Sequence, residues 1–403
     1  MTALDNATTA IAIARRASAA DRNSSIAFEV EFRPLAQLEA IIEPWRELAG
    51  HAIEPNVFYE PAFALPAASL LGADVMAGLV WADSASRHLA GLFPVRIDRH
   101  RYGVPLPVLV GWTHPYAPLG TPLVHREMAE PVIAAWLDHV AHDPDLPDLV
   151  LWRLLSEEGP FAAALASVLA RRGCEAKSFG QYQRPLLAPG ENRAGYFERV
   201  LTARRQRDLR RQRRRLEKLG VVTLVEARDD TDLARGLDEF FALEAAGWKG
   251  RAGTAALHNA DVHHFMKRAV ILLADEGKAS LHKLLVNGNT IAATITLKSG
   301  QSAWGWKVAH DERYAAYSPG LLLVAGLTQS FLASPAIARV DSCASAADMT
   351  TNQLWGERLT VSDRLIAADP GKEFSFAFAS RLEALRRTAV ATAKLLRDQI
   401  RPR

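Results

Sequence analysis

Beyond residue 25 the apolar positions fall into alternating runs and helical-period runs, and the order in which they come predicts the architecture. The alternating run IAFEVEF, which holds Phe28 and Phe32, predicts an opening strand. Helices follow at PLAQLEAIIEPWRELA and PAFALPAASLL, then strands at DVMAGLVWAD and HLAGLFPVRIDR. A helix at EPVIAAWLDHVA, a strand DLVLWRLL, a helix PFAAALASVLARRG and a strand AKSFGQYQRPL complete a half that ends near Pro185. After a charged segment at 198–219 much the same order returns. A strand VVTLVEA, helices TDLARGLDEFFALEAAG and DVHHFMKRAVILLADEG, and strands ASLHKLLV, TIAATITLKS and SAWGWKVA precede a helix PGLLLVAGLTQSFLAS and strands ARVDSCA and RLTVSDRLIA. The order repeats although the residues do not, so the expected fold class is α/β (α+β) and internally duplicated, with two mixed, largely antiparallel sheets flanked by helices. Asn287-Gly288 between two alternating runs signals a hairpin, hence an antiparallel meander in the second half. The tail FAFASRLEALRRTAVATAKLLRDQIRPR predicts a closing amphipathic helix that packs through Leu382, Leu385, Ala389 and Leu396.

Composition adds bounds. A chain of 403 residues with 49% hydrophobic and 23% charged content has room for two cores and reads as a soluble globular protein. Cys174 and Cys343 are too few for a disulfide framework and lack zinc spacing, which points to a reducing, cytoplasmic setting. No window reaches the run of about 18 apolar residues that a membrane-spanning helix needs. Residues 1–25, rich in Ala, Thr and Ser, reverse the charge order of a secretory signal and are expected to form a disordered leader. The resulting division is 1–25 leader, 26–190 first lobe, 191–219 basic connecting helix, 220–375 second lobe and 376–403 closing helix. A net charge of +3 does not by itself imply nucleic acid.

Chemistry first suggests itself at the strand, loop and helix start WGWKVAHDERYAAYSPGLLL. Ser318 suits an N-cap, Pro319 the first helical position, and Gly320 leaves the next amides uncovered. Those amides, with the positive end of the helix dipole behind them, suit a phosphate or pyrophosphate. The competing reading is an ordinary Ser-Pro-Gly helix start.

The basic helix ARRQRDLRRQRRRLEKLG, the motif FFALEAAGWKGRAGTA, the segment WGWKVAHDERYAAYSPGLLL and the strand and loop VDSCASAADMTTNQLWGER together resemble the CelD/BcsL-type acyltransferases of the GNAT superfamily. The resemblance covers most of residues 190–370 and the first half more loosely. It implies a tandem GNAT-like fold, an acyl-CoA donor with acetyl as the default group, and transfer to an amine or hydroxyl of a small-molecule or glycan acceptor tied to polysaccharide or envelope metabolism. The usual glycine-spaced pyrophosphate loop is replaced here by Ser318-Pro319-Gly320. Ser318, Gly320 and Leu321, with Trp306 on the preceding strand, are the donor-binding candidates.

Direct acyl transfer needs a positioned acceptor and a group that takes its proton; it needs no covalent nucleophile, so Cys343 is dispensable. Asp341, at the end of its strand, is a candidate base, against the reading of a loop-capping Asp. His310 is a second candidate, against a solvated loop histidine. Tyr317 is a candidate donor to the leaving thiolate, against a packing tyrosine. Trp248, Lys249 and Arg251 combine a broad ring with two cations where an acidic or sugar acceptor can rest, although cations after a helix also favour its dipole. Trp304 and Trp306, either side of Gly305, are expected to face one side of the sheet, as cleft wall or as core. In the first half Trp112, His114 and Tyr116 are candidates for a groove between halves. His258, His263 and His264 make no metal set, and no metal is expected.

Residues 199–218 hold ten basic side chains against Asp208 and Glu217, and ten minus two gives a local charge of +8. Such a helix suits an anionic partner, whether phosphate, glycan, membrane or RNA, or is a solvated connector. Fem-type aminoacyltransferases, which also pair GNAT-like halves and take an aminoacyl-tRNA donor, are the alternative family. The lack of interleaved aromatics speaks against nucleic acid. A non-catalytic ligand-binding scaffold is the third reading.

Overall fold

Asn287 and Gly288 both take positive φ, 49° and 78°, as a two-residue type I′ turn requires. They set the register in which Asn289 faces Val286 and Leu297 faces Ala279. That hairpin is the centre of the second half in the computed structural model, which describes residues 26–83, 87–227, 229–345 and 351–400, the last seven as backbone only. The expected leader and residues 346–350 of the motif around Asp341 lie outside the described residues.

The first half runs β1 (Ala27–Pro34), α1 (Ile42–His51), α2 (Pro61–Leu71), β2 (Met76–Asp83), β3 (Arg87–Asp98), β4 (Val108–Gly111), β5 (Leu123–Val124), α3 (Ala129–His142), β6 (Leu149–Ser156), α4 (Pro160–Arg172) and β7 (Ala176–Leu187). A connector follows with α5 (Tyr196–Val200) and α6 (Ala203–Glu217). The second half runs β8 (Val222–Glu226), α7 (Asp230–Ala246), α8 (Trp248–Arg251), α9 (Ala260–Asp275), β9 (Ala279–Val286), β10 (Asn289–Ser299), β11 (Ser302–His310), α10 (Pro319–Ala333), β12 (Arg339–Asp341), β13 (Glu357–Ala367) and α11 (Glu373–Ile400).

The two half-sheets are fused. Their strands form one sheet in the order β1-β2-β3-β4-β6-β13-β7-β12-β11-β10-β9-β8, with β5 beside β3. Each half contributes its first strands in sequence and then gives its last strand to the other: β13 lies against β6, and the end of β7 lies against β12. β7 and β13 also pair with each other over most of their length, which joins the two half-sheets. Only β4–β6 and β11–β12 are parallel, at matching places in the two halves.

A common core locks the halves further. Phe58 and Phe63 of the first half meet Phe265, Trp304 and Trp306 of the second, with Phe63 edge-on to Phe265 and Trp306 at 5.5 Å between ring centres. α11 differs from expectation. Leu385 is 67% exposed and Ala389 is also exposed, whereas the packed side carries Phe376, Ala379 and Glu383. The reason is polar: the Glu383 carboxylate, fully buried, is gripped by Arg101 (2.9 and 3.0 Å) and Arg387 (2.7 Å). The side chain of Leu396 lies outside the described residues.

Candidate functional site

The second half contains a cleft because two parallel strands meet and then part. β11 and β12 are paired only over Ser302–Trp304 and Arg339–Asp341; β12 then ends while β11 continues to His310. Beyond Trp304 that edge of β11 has no strand partner. On the other edge Thr296 faces Gly305 and Ile295 faces Lys307, so Trp306 is the extra residue of a β-bulge. Trp304 and Trp306 belong to the common core, and Gly305, Trp306, Lys307 and His310 line the cleft. Its volume is about 790 Å³, within the range of small-molecule sites.

One end of the cleft is the start of α10. Ser318 stands before Pro319 in the left-handed region (φ 52°), and its side chain does not cap the helix. Its Oγ instead accepts from Gln212 Nε2 of α6 at 3.1 Å. The first bonded amide is that of Leu322, to Ser318 O, which leaves the Gly320 and Leu321 amides without a partner among the described residues. No acidic side chain occupies this first turn. A Cβ on Gly320 would meet His310 Nδ1 first, at 3.5 Å, with Val308 Cγ2 at 3.9 Å, so His310 sits against the helix start.

Deeper in, Lys307 Nζ lies over the Tyr116 ring at 4.9 Å and beside Trp306 at 5.8 Å. Burial, with Lys249 nearby, pushes its ammonium down to about 8, from an ordinary 10.5. Tyr116 belongs to the first half; its carbonyl accepts from Trp306 Nε1 at 2.7 Å behind the cleft, and Trp112, His114 and Tyr116 are not themselves among the cleft-lining residues. His114 is held neutral, its pKa lowered to about 3 by burial and then by Lys307. Trp248 and Lys249 form one wall. Lys249 Nζ is held by Glu244 (2.7 Å), whose second oxygen takes the Ala256 amide (3.0 Å), while Trp248 is 59% exposed.

Of the candidates read from sequence, Trp306, His310, Ser318, Gly320, Leu321, Trp248 and Lys249 line this one cleft, and Arg251, Tyr317 and Asp341 do not. Arg251 pairs with Glu312 on the surface (2.8 Å). Tyr317 lies under Arg215, 5.3 Å from the guanidinium to the ring centre. Asp341 is buried with both oxygens engaged, one by Arg184 (2.5 Å) and one by the Cys343 amide (2.9 Å). Cys343 lines the cleft, but burial, and then Asp341, push its thiol far up, so it stays protonated. Sequence reasoning missed Lys307 and Glu244. The alternation around Gly305 was visible; the Tyr116 ring of the first half that encloses Lys307 was not. Among the described residues no His, Cys, Asp or Glu group suits a metal ion.

The matching place in the first half is closed. After β4 the chain folds back so that the Gly120 amide donates to Leu154 O (3.1 Å), and a Cβ on Gly120 would stand 2.0 Å from Arg153 O. The asymmetry leaves catalysis-sized space in the second half, and it is there that the sequence matches a known family. Residues 203–348 match the acetyltransferase (GNAT) domain. The whole chain is similar in fold to a crystal structure of FemX, 9% identical with a TM-score of 0.56, over 81% of this chain and 95% of that one. It is also similar to the C-terminal domain of a putative lysylphosphatidylglycerol synthetase from Agrobacterium fabrum, 11% identical with a TM-score of 0.50, covering 84% and 94%. A conserved protein of unknown function from Bacteroides thetaiotaomicron is 11% identical with a TM-score of 0.50, covering 84% and 99%. At these identities the likeness is one of fold: two GNAT-like lobes, with the matched domain spanning α6 to just beyond β12. No curated protein sequence matches the chain.

Proposed function

We propose that this protein transfers an acyl group, acetyl by default, from acyl-CoA directly to an amine or hydroxyl of a polysaccharide- or envelope-related acceptor. One observation carries the reading: within the GNAT-matching segment, β11 and β12 part to open a cleft with two free helix-start amides at one end and a low-pKa lysine at its base. The Gly320 and Leu321 amides, with the α10 dipole, hold the pyrophosphate of the donor. The open edge of β11 takes the extended arm of CoA by backbone hydrogen bonds. Trp248 and Lys249 contact the acceptor across the cleft.

The acceptor nitrogen or oxygen attacks the thioester carbonyl carbon, the carbon–sulfur bond breaks, and CoA leaves as its thiolate. The acceptor's proton goes to neutral Lys307 Nζ and from there to solvent; a lysine base is effective when its pKa is brought to about 7–8. Asp341, committed to Arg184, then acts as a positioning residue that fixes the Ser342–Cys343 wall, and His310 belongs to the donor end.

Calorimetric titration with acetyl-CoA tests the reading, alongside Gly320→Glu, whose Cβ has room and whose charge opposes phosphate. Saturable binding by the parent and its loss in the folded variant is the expected result. No binding by the folded parent would turn the reading toward an aminoacyl-tRNA donor or a scaffold without turnover.

A further inference from the structure

The outward face of α6 takes no part in acyl transfer as described. The helix meets the rest of the protein through Leu216 and Leu209, the Gln212–Ser318 bond, Arg205 to Gln353, Gln206 to the Phe197 and Leu201 carbonyls, Arg213 to the Val222 carbonyl and Arg215 on the Tyr317 ring. Its opposite arc is cationic throughout. Arg204, Arg207, Arg211, Arg214 and Lys218 recur at spacings of three and four, a row about 21 Å long at about 1.5 Å per residue. Arg210 and Arg215 flank that row. Asp208 and Glu217 stand at its margins, paired with Arg211 (3.1 Å) and Arg213 (2.7 Å). The side chains of Arg204, Arg207, Arg210, Arg214 and Lys218 have no ion pair or hydrogen bond among the described residues. Like charges at helical spacing repel one another, so this face is destabilising in isolation and relieved by an anionic partner.

Two features select the partner. The arc bears no aromatic ring on which a base can stack. The row also leads directly into exposed aliphatics, Leu219 (44% exposed) and Val221 (70% exposed). A bilayer offers an anionic headgroup layer with hydrocarbon beneath it, and a nucleic acid backbone offers only the anions. We propose that α6 docks this protein on an anionic membrane surface, with the arginine row against headgroup phosphates and Leu219 and Val221 among the acyl chains. Because Gln212 ties α6 to the start of α10, docking holds the cleft mouth within about 10 Å, one helix diameter, of the headgroups.

The test is co-sedimentation of the full chain with vesicles of phosphatidylcholine, with and without phosphatidylglycerol, and with single-stranded RNA as competitor. Binding only to the phosphatidylglycerol vesicles, released by salt, is expected. Each cation near the surface is worth about fivefold in partitioning, so Arg207→Glu with Arg214→Glu weakens it at least about 25-fold. Neither side chain has a hydrogen bond or ion pair among the described residues, and the change relieves like-charge repulsion along the helix, so the melting temperature does not fall. Leu219→Ser with Val221→Ser weakens vesicle binding several-fold and leaves any RNA binding as it was. The proposal is overturned if the parent stays in the supernatant with anionic vesicles, or if the arginine variant partitions like the parent. It is also overturned if RNA captures the protein at a salt concentration where vesicles do not.

Discussion

Lys307 concentrates the chemistry of the cleft in a single side chain. Its ammonium has aromatic faces and the Lys249 cation near it rather than a hydrogen-bonded carboxylate, and burial outweighs the nearby Glu244, bringing its pKa to about 8. Competitive acetylation read by mass spectrometry, between about pH 6 and 11, therefore shows Lys307 gaining reactivity near 8 while exposed lysines do so near 10.5. Acetyl-CoA occupying the cleft protects it. Lys307→Met binds the donor as before and slows CoA release to acceptor by about 100-fold or more, the scale of a lost general base. A Lys307 that titrates with the bulk lysines would remove it from the proton-transfer role. The residue stood in plain view in WGWKVA, yet nothing in that alternation announced the Tyr116 ring, from the other half of the chain, that lies against it. Asp341 was legible as a strand-end carboxylate, whereas its pairing with Arg184 depends on a partner 157 positions earlier in the chain.

At the scale of elements, apolar periodicity gave most helices and strands their places, missed the short strands β4 and β5, and misjudged one face. In α11 the stripe containing Leu385 looks outward, because the side facing β13 and β7 holds an ion-pair network that periodicity cannot weigh. Burial works to raise the Glu383 carboxyl, but the hydrogen bonds and charge of Arg101 and then Arg387 prevail and hold it below the usual value. A depressed carboxyl contributes stability that is complete above its unfolded pKa, about 4.3, and is lost as pH falls through the lower folded value, because the unfolded chain binds the proton first. Urea midpoints measured down an acid series should thus decline below about pH 4 in the parent. In Glu383→Gln they start lower and lose that part of the slope. Parallel acid profiles for the two proteins would mean that Glu383 does not anchor α11. The helix start at α10 shows the same limit in milder form: Ser-Pro-Gly located the element, but only the structure turns the Ser318 hydroxyl toward α6 instead of its own helix.

For the whole molecule, duplication was readable from the repeated order of elements, whereas the fusion was not. Strand exchange between β7 and β13 is a matter of pairing across 170 residues or more, and local pattern carries no such information. Its consequence is mechanical. Neither half owns a complete sheet, and Phe63 of the first half is fully buried between Phe58, Phe265 and Trp306. Chains of this length with two separable cores commonly unfold in steps, but here a break in either half exposes the shared core and frees a strand of the other. Phe63→Ala should therefore lower stability by about 3–5 kcal/mol, as large aromatic deletions do, and do so for both halves together. Hydrogen exchange followed by mass spectrometry reads this directly. Peptides from β2 in the first half and from β10 in the second lose protection by the same amount, at the same denaturant concentration. Loss confined to the first half would mean that the lobes fold independently and that the contact of Tyr116 from one with Lys307 from the other opens without unfolding either.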